Sequence, residues 1–160
     1  MDIRIGHGVD FHQLQNELPL MLAGIKIQSS KGIVAHSDGD IVIHAIVDSL
    51  LGALALGDIG TFFPSTDSKL KNKPSHIFLE KIITKMENLN YNISNIDINI
   101  ILEEPHINSY ILKMKEKLSH FMNIDIKKIS IKATTTDKLG YIGTSEGIMA
   151  TATTLLIKEA

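Results

Sequence analysis

Two short stretches of the chain concentrate side chains that could bind a metal ion. In the first, Asp10 and His12 lie in a segment, residues 2–12, in which apolar residues alternate with polar residues or glycine. A period of two predicts a β-strand on which Asp10 and His12 share one face, about 7 Å apart along the backbone. Taken alone, a solvated strand face is the simpler interpretation of this pair.

The second stretch runs from Ile41 to Leu56, where His44, Asp48 and Ser49 are the only side chains with polar atoms. A run that is apolar on nearly every side predicts a buried helix. His44 and Asp48 are four residues apart and therefore share one face of that helix. Two interpretations stay open for this pair alone: a hydrogen bond within the core, or a metal-binding His44 that Asp48 orients.

A shared role as metal ligands would account for Asp10, His12 and His44 together. One carboxylate and two imidazoles form a zinc ligand set that leaves a fourth position for a substrate. Gly6 and Gly8, on the same strand face as Asp10, leave room for a ligand or for another backbone segment. The sequence therefore predicts a metal site between the first strand and the buried helix.

The rest of the chain supplies the elements that must position these side chains. Asp40, in the polar turn at residues 36–40, is placed to cap the buried helix, which is predicted to end near Gly57. The other predicted elements are a turn at 13–18, paired short strands at 20–23 and 25–27, a loop at 29–32, helices at 74–89 and 107–121, strands at 96–102, 129–133 and 148–157, and a loop containing Gly140 and Gly143.

Intermixed strands and helices predict the fold class. We expect one α/β (α+β) domain over residues 1–160, a two-layer sandwich in which helices cover one face of a mixed β-sheet. The other face of the sheet would be uncovered in a single chain. A symmetric homo-oligomer is the economical way to cover it.

Composition excludes several classes of protein. The net charge of −2 and the low aromatic content of 5% argue against nucleic-acid binding. The absence of cysteine excludes disulfides, thiolate zinc sites and a cysteine nucleophile. The N-terminus lacks a signal-peptide pattern, and the longest apolar run is too short to cross a membrane. We expect a cytoplasmic protein, and an organelle location after removal of a transit peptide fits equally well.

The chain also lacks a GxSxG elbow and a Walker-type phosphate loop. It offers instead the hydroxyls of Ser37, Thr134, Thr135 and Thr136, together with turn glycines and isolated acids. These groups suit phosphate binding and metal bridging better than acyl transfer.

A set of motifs, in a characteristic order, spans nearly the whole chain. They are GHGVDFH (6–12), AHSDGD (35–40), LALGDIGTFFPSTD (54–67), KATTTDKLGYIG (132–143) and SEGI (145–148). Together they resemble the 2-C-methyl-D-erythritol 2,4-cyclodiphosphate synthases of the non-mevalonate isoprenoid pathway.

The resemblance implies cyclisation of 4-diphosphocytidyl-2-C-methyl-D-erythritol 2-phosphate with release of CMP. The 2-phosphate would attack the β-phosphorus, so positioning and electrostatics would carry most of the catalysis. The resemblance further implies one Zn²⁺ per chain on Asp10, His12 and His44, and a second cation, Mg²⁺ or Mn²⁺, with Asp137. His36 and Thr135 would stabilise the transition state.

The resemblance also implies the substrate contacts and the assembly. Family members are homotrimers with active sites between subunits, and neither nucleic acid nor membrane is an expected partner. The implied substrate-binding residues are Ser37 at the phosphate; Asp58, Gly60, Phe63, Pro64, Ser65, Thr66 and Asp67 at the methylerythritol; Leu102, Glu103, Glu104, Pro105, His106, Ile107, Asn108, Ala133 and Thr134 toward the cytidine; and Thr136 and Tyr141.

The chain departs from the family pattern at several positions. Asp137 stands where Glu is common and is one methylene shorter, Ser65 stands where an acid is common, and His106 where Lys is common. Thr144 and Ser145 replace a pair that usually contains Arg, so we expect one diphosphate contact to be lost.

The sequence leaves two functions open as alternatives to the cyclase. A metal-dependent phosphohydrolase would bind two metals if Asp38 and Asp58 were direct ligands. A non-enzymatic trimer could bind phosphorylated isoprenoid intermediates. The combination of motifs favours the cyclase over both.

Overall fold

The computed structural model of the chain describes residues 2–64, 66–70 and 73–158. Helices and strands are intermixed along these ranges. The strands are β1 (Asp2–Asn16), β2 (Leu20–Leu22), β3 (Ile25–Ile27), β4 (Lys31–Ile33), β5 (Tyr91–Ile101), β6 (Ile129–Thr134) and β7 (Gly147–Lys158). The helices are α1 (Ile41–Ala53), α2 (Ile59–Phe62), α3 (His76–Asn88), α4 (Ile111–Met122) and α5 (Gly140–Gly143), and short 3₁₀ turns lie at Ser68–Leu70, Asn108–Tyr110 and Ile126–Lys128.

Within the described residues, five strands form the main sheet in the order β4-β1-β7-β5-β6. Only β5 and β6 are parallel neighbours in it, and the other pairs run antiparallel. Strands β2 and β3 form a separate antiparallel ribbon. The predicted mixed sheet covered by helices on one face is therefore confirmed.

Helix α1 forms the centre of the core. Its apolar side chains are almost fully buried, because α1 packs on β1 and β7 on one side and on α3 on the other. Asp40 caps its N-terminus as predicted, since the carboxylate accepts a hydrogen bond from Ile43 N. The same carboxylate accepts from Ala23 N and Gly24 N, which ties the β2–β3 turn to the start of the helix.

Several predicted boundaries were wrong. Residues 13–16 continue β1, and residues 14–16 pair with β4, although 13–18 was predicted as a turn and 29–32 as a loop. Helix α1 ends at Ala53 because Ala55 takes a positive φ of 55° and Leu56 N bonds back to Leu51 O. Strand β5 begins at Tyr91, with a register shift between Ile93 and Asn95 that alternation alone does not reveal. The loop predicted around Gly140 and Gly143 contains helix α5.

The second face of the sheet carries apolar side chains that the described residues of a single chain leave uncovered. On β1, Ile3, Ile5, Val9 and Phe11 are 55%, 70%, 38% and 63% exposed. Their partners on β7 include Met149, Leu155 and Ile157. We call this surface the open face. No helix among the described residues is both long and apolar enough to cross a membrane.

Candidate metal centre and substrate cavities

The metal-binding side chains are brought together by an unusually close approach of β1 and α1. A methyl group at Gly6 would lie 1.8 Å from Ser49 O, and one at Gly8 would lie 2.0 Å from Ala45 O. The predicted room on this strand face is therefore filled by the helix backbone. Since Asp10 and His12 follow on the same face, the close approach carries them to the N-terminal half of α1, where His44 lies.

Asp10, His12 and His44 converge on one point. Asp10 Oδ2 lies 3.0 Å from His12 Nε2 and 3.1 Å from His44 Nδ1. One ligand atom from each residue lies within 4.8 Å of the others, and the side chains are 13–25% exposed. A carboxylate oxygen and two imidazole nitrogens at such distances are a suitable donor set for a divalent metal.

Hydrogen bonds within this cluster shift the pKa values of Asp10 and His12. Burial alone would raise the pKa of Asp10, but hydrogen bonds with His12 and His44 outweigh it and lower that pKa to about 2. The hydrogen bond with Asp10 correspondingly raises the pKa of His12, against the opposing effect of burial. The protein therefore presents an ionised carboxylate here, and a cation is what that carboxylate favours.

A contact with the backbone carbonyl of Val34 determines which ring nitrogen of His12 can bind a metal. His12 Nδ1 lies 3.2 Å from Val34 O, and a carbonyl oxygen can only accept. His12 Nδ1 therefore carries a hydrogen, which leaves Nε2 as the nitrogen that faces Asp10 and can bind a metal.

A cavity of about 300 Å³ opens beside the three ligands. His12, His44, His36 and Ser37 supply its polar lining. Its apolar wall consists of Ala35, Ile59, Gly60, Phe63, Pro64, Leu70 and Phe78, with Phe63 and Phe78 stacked at a centroid distance of 4.6 Å. The first cavity thus combines two histidines of the candidate metal cluster and the polar side chains of His36 and Ser37 with a mostly apolar wall.

A second cavity of about 100 Å³ collects the residues expected on the cytidine side. It is lined by Leu102, Glu103, Pro105, His106, Ile107, Asn108, Ala133, Thr134 and Thr135. These come from the ends of the parallel strands β5 and β6, which brings the segment after residue 101 beside the threonines. Among their described lining residues, the two cavities have none in common.

Comparison with known proteins agrees with this arrangement. The model of the YgbB family matches residues 3–157. A 2-C-methyl-D-erythritol 2,4-cyclodiphosphate synthase of Buchnera aphidicola subsp. Schizaphis graminum is 48% identical over 157 residues, covering 98% of this chain and 94% of the relative. The chain belongs to the YgbB family of 2-C-methyl-D-erythritol 2,4-cyclodiphosphate synthases.

Solved structures of this family share the fold. An IspF from Plasmodium falciparum in complex with CDP superposes with a TM-score of 0.88 at 41% identity, covering 99% of this chain and 97% of that one. The bifunctional IspDF from Campylobacter jejuni superposes with a TM-score of 0.93 at 38% identity. That match covers 97% of this chain and 42% of the longer IspDF chain. The predicted family and enzyme class are therefore confirmed.

Several of the remaining predicted site residues of this YgbB-family chain do not line the two cavities. Asp58 Oδ1 caps α2 by accepting from Thr61 N and Thr61 Oγ1, and these bonds, Thr61 N foremost, lower its pKa. Thr66 is exposed, Asp67 is partly buried, and Ser65 lies outside the described residues. Glu104 is also exposed.

The threonine loop is organised by its own hydrogen bonds. Thr135 Oγ1 accepts from Asp137 N at 3.3 Å, and Thr136 Oγ1 donates to Leu139 O at 2.8 Å. Asp137 is exposed, has a positive φ of 52°, and is not part of the Asp10 cluster. Tyr141 lies in a separate groove with His12 and Thr136 and is 79% exposed.

The hydrogen bond of Asp48 differs from the expectation that it orients His44. Asp48 Oδ1 accepts from Ile59 N at 2.6 Å, which fixes the start of α2 next to the first cavity. Burial raises its pKa, and the Ile59 N–H opposes that rise. The hydrogen-bond partners of His44 are instead Asp10, Ser37 and Ser75. Spacing of four residues puts two side chains on one helix face without deciding that they touch.

Sequence reasoning missed Ser75, Phe78, Leu70 and Val34 as parts of the site. The sequence predicts Ser75 and Phe78 only as residues of the helix at 74–89. The available signal was a serine just before a helix, but such a serine normally caps. The two-metal phosphohydrolase is not favoured, because Asp38 is bonded to Ser75 and Asp40, and Asp58 to Thr61.

Proposed function

We propose that this YgbB-family chain converts 4-diphosphocytidyl-2-C-methyl-D-erythritol 2-phosphate into 2-C-methyl-D-erythritol 2,4-cyclodiphosphate and CMP. The observation that carries the proposal is the convergence of Asp10, His12 and His44 beside a cavity lined by His36 and Ser37. Synthases named for this product are similar to the chain over nearly its whole length.

The reaction needs little covalent chemistry from the protein. The substrate carries its own nucleophile, because a phosphate monoester has a second pKa near 6 and is largely dianionic at neutral pH. Its oxygen forms a bond to the β-phosphorus while the bond from that phosphorus to CMP breaks. The protein must fold the substrate back on itself and stabilise the negative charge.

We assign charge stabilisation to His36 and Thr135. His36 lines the first cavity next to Ser37, and Thr135 lines the second. Ser37, Gly60, Phe63 and the segment around Asp58 would hold the phosphate and the methylerythritol. The second cavity, with Asn108 and His106, would hold the cytidine.

Asp10, His12 and His44 would hold Zn²⁺, one ion per chain. Their oxygen and two nitrogen donors suit that ion and leave a position for the diphosphate. When bound, the ion would orient and polarise the diphosphate as a Lewis acid. Asp137 would contact a second cation, Mg²⁺ or Mn²⁺, whose oxygen-rich coordination suits phosphate groups.

We further propose a homotrimer with active sites between neighbouring subunits. The apolar open face needs a cover, and a second copy of the chain provides one. The metal cavity and the cytidine cavity have no lining residue in common, so one substrate could join the first cavity of one subunit to the second cavity of its neighbour. A solved family relative binds CDP, which has the nucleotide part of such a substrate.

Product analysis tests the reaction. The purified protein is incubated with the diphosphocytidyl substrate, Zn²⁺ and Mg²⁺, and the products are identified by ³¹P NMR and mass spectrometry. We expect CMP and the cyclic diphosphate in equal amounts, with loss of both in His44→Ala. Linear phosphates or diphosphates would favour the phosphohydrolase, and binding without turnover would favour the non-enzymatic binder.

Mixing two inactive variants tests the shared site. Asp10→Asn impairs the first cavity and Thr135→Ala the second. Trimers that contain both variants should regain part of the activity, because some interfaces then pair two intact cavities. No recovery in verified mixed trimers would show that each chain has its own complete site.

A further inference from the structure

Ser75 occupies the position just before α3, yet its hydroxyl does not cap that helix. Its side chain makes no capping hydrogen bond to the described first turn, and its backbone is already helical, with φ −64° and ψ −22°. A buried serine at a helix start normally uses its oxygen to satisfy a free N–H group. Ser75 is fully buried, so its hydroxyl must be engaged elsewhere.

The hydroxyl of Ser75 lies between His44 and Asp38. Ser75 Oγ is 2.9 Å from His44 Nε2, the ring nitrogen on the far side from Asp10. It also bonds to Asp38 Oδ1. Asp38 is itself anchored, since its Oδ2 accepts from Ser75 N at 3.0 Å and its Oδ1 accepts from Asp40 N at 3.2 Å.

The direction of these hydrogen bonds follows from the donors available. Both Asp38 oxygens accept backbone N–H groups, so the hydroxyl hydrogen of Ser75 is donated to Asp38 Oδ1. A hydroxyl has one hydrogen, so Ser75 Oγ can then only accept from His44. His44 Nε2 must therefore carry a hydrogen. Nδ1, which lies 3.1 Å from Asp10 Oδ2, is then the ring nitrogen that can bind a metal once the hydrogen it donates to Asp10 is lost.

We propose that Ser75, held by Asp38, is a positioning residue that keeps a hydrogen on His44 Nε2 and so leaves Nδ1, on the side of Asp10 and His12, as the nitrogen that binds a metal. Metal-binding histidines commonly donate their second N–H to an acceptor that fixes the ring. Val34 O does this for His12, and Ser75 does it for His44 through a neutral hydroxyl backed by a carboxylate. The inference rests on the proposed function only in taking this cluster as a metal site.

Metal affinity provides the first test. The dissociation constant for Zn²⁺ is measured in the whole protein by competition with a chromophoric chelator. We expect Ser75→Ala to weaken binding by roughly 10-fold or more, within the range for loss of a partner behind a metal ligand. Ser75→Thr, which keeps the hydroxyl, should restore most of the affinity.

Two other serines serve as matched controls. Ser49 is a buried hydroxyl of α1 that bonds to Ile46 O and Thr154 Oγ1, away from His44. Ser49→Ala should leave the Zn²⁺ affinity unchanged. Ser37 Oγ is 3.4 Å from His44 Nε2, longer than the Ser75 contact, so Ser37→Ala should weaken Zn²⁺ binding less than Ser75→Ala does.

Nitrogen NMR of the imidazoles provides a test that needs no metal. Two-bond ¹H–¹⁵N correlations at alkaline pH show which nitrogen of His44 carries hydrogen. We expect a hydrogen on Nε2 in the metal-free and in the Zn²⁺-loaded wild-type protein. In metal-free Ser75→Ala, we expect the hydrogen to shift in part to Nδ1, where Asp10 accepts it.

The outcomes separate the inference from the proposed function. A metal-free wild-type His44 whose Nε2 lacks hydrogen overturns the role of Ser75, as does a folded Ser75→Ala variant with wild-type Zn²⁺ affinity. A wild-type protein that does not bind Zn²⁺ contradicts the proposed metal site instead, and the NMR result still decides the role of Ser75. If Ser75→Ala fails to fold, Ser75→Cys, which retains size with a weaker acceptor, is measured in its place.

Discussion

The two faces of β1 reverse the usual relation between polarity and burial. The helix-facing side contains Gly6, Gly8, Asp10 and His12, and it is the covered side. The opposite side contains Ile3, Ile5, Val9 and Phe11, and it is exposed in the single chain. Apolar side chains normally turn inward because removing their surface from water is favourable.

The difference has two separate physical causes. On the covered side, the backbone of α1 comes so close that no side chain fits at Gly6 or Gly8, and this closeness is what lets His44 reach Asp10. On the exposed side, a row of apolar residues continues across β7 and has no cover from the part of the chain that the structure describes. The first face therefore carries the candidate metal cluster. We propose that the second face binds further copies of this chain.

A side chain at Gly8 is expected to destabilise the covered face of β1 more than any other change considered below. A methyl group there would lie 2.0 Å from the backbone oxygen of Ala45, which cannot move without displacing α1. We expect Gly8→Ala to lower the free energy of unfolding by about 4 kcal/mol or more. Urea unfolding followed by circular dichroism measures this.

Gly52 is the matched control on the same interface. A methyl group at Gly52 would meet its nearest neighbour, Gly6 Cα, at 3.9 Å, which is an ordinary contact. Because alanine favours a helix over glycine, Gly52→Ala should stabilise the protein by up to about 1 kcal/mol. Equal destabilisation by both substitutions would contradict the close approach at Gly8.

His12 and His7 lie on opposite faces of β1, so their substitutions test whether the two faces differ in metal binding. His12→Ala removes a ligand and should weaken Zn²⁺ binding by more than about 100-fold, beyond the loss expected for a partner behind a ligand. His7 bonds to Thr153 on the open face, so His7→Ala should leave Zn²⁺ affinity unchanged. Isothermal titration calorimetry measures both, and a similar loss in the two variants would mean that the faces are not separate in function.

A charge on the open face tests its role as an interface. Ile5→Glu places a carboxylate in an apolar surface, and burying it between subunits is costly. We expect the dissociation constant of the trimer to rise at least about tenfold, or 1.4 kcal/mol, as measured by sedimentation equilibrium.

Leu112→Glu is the control for that charge, since Leu112 is similarly exposed at 62% but lies on α4, outside the sheet. It should leave the assembly state unchanged. Assembly that is equally insensitive to both changes would place the subunit interface elsewhere.

The three residues of the candidate metal cluster were predictable from the sequence because their local patterns, each weak alone, account for one another when they are combined. Alternation places Asp10 and His12 on one face, and a histidine in an otherwise apolar helix requires a partner. Ser75 was not predictable in this way. It lies 31 residues from His44, and its only local signal was its place at the start of the helix predicted over residues 74–89.

Asp48 shows the opposite error. Helical spacing correctly placed Asp48 on the side of α1 that carries His44, but its carboxylate bonds to Ile59 N. Which hydrogen bond a carboxylate forms depends on its rotamer and on which donors neighbouring loops bring within reach. Helix periodicity contains no information about the loop that begins at Asp58.

The sequence by itself determined the family, the mixed α/β class and the three residues of the metal cluster, because motifs and periodicity are local properties of the chain. Tertiary structure alone decided which face of β1 is covered, how close α1 comes to it, and which groups hold His44. Those features depend on the packing of segments tens of residues apart. For the same reason, only the folded chain shows that the glycine-bearing face of β1 belongs to the site and that the apolar face remains free for a neighbour.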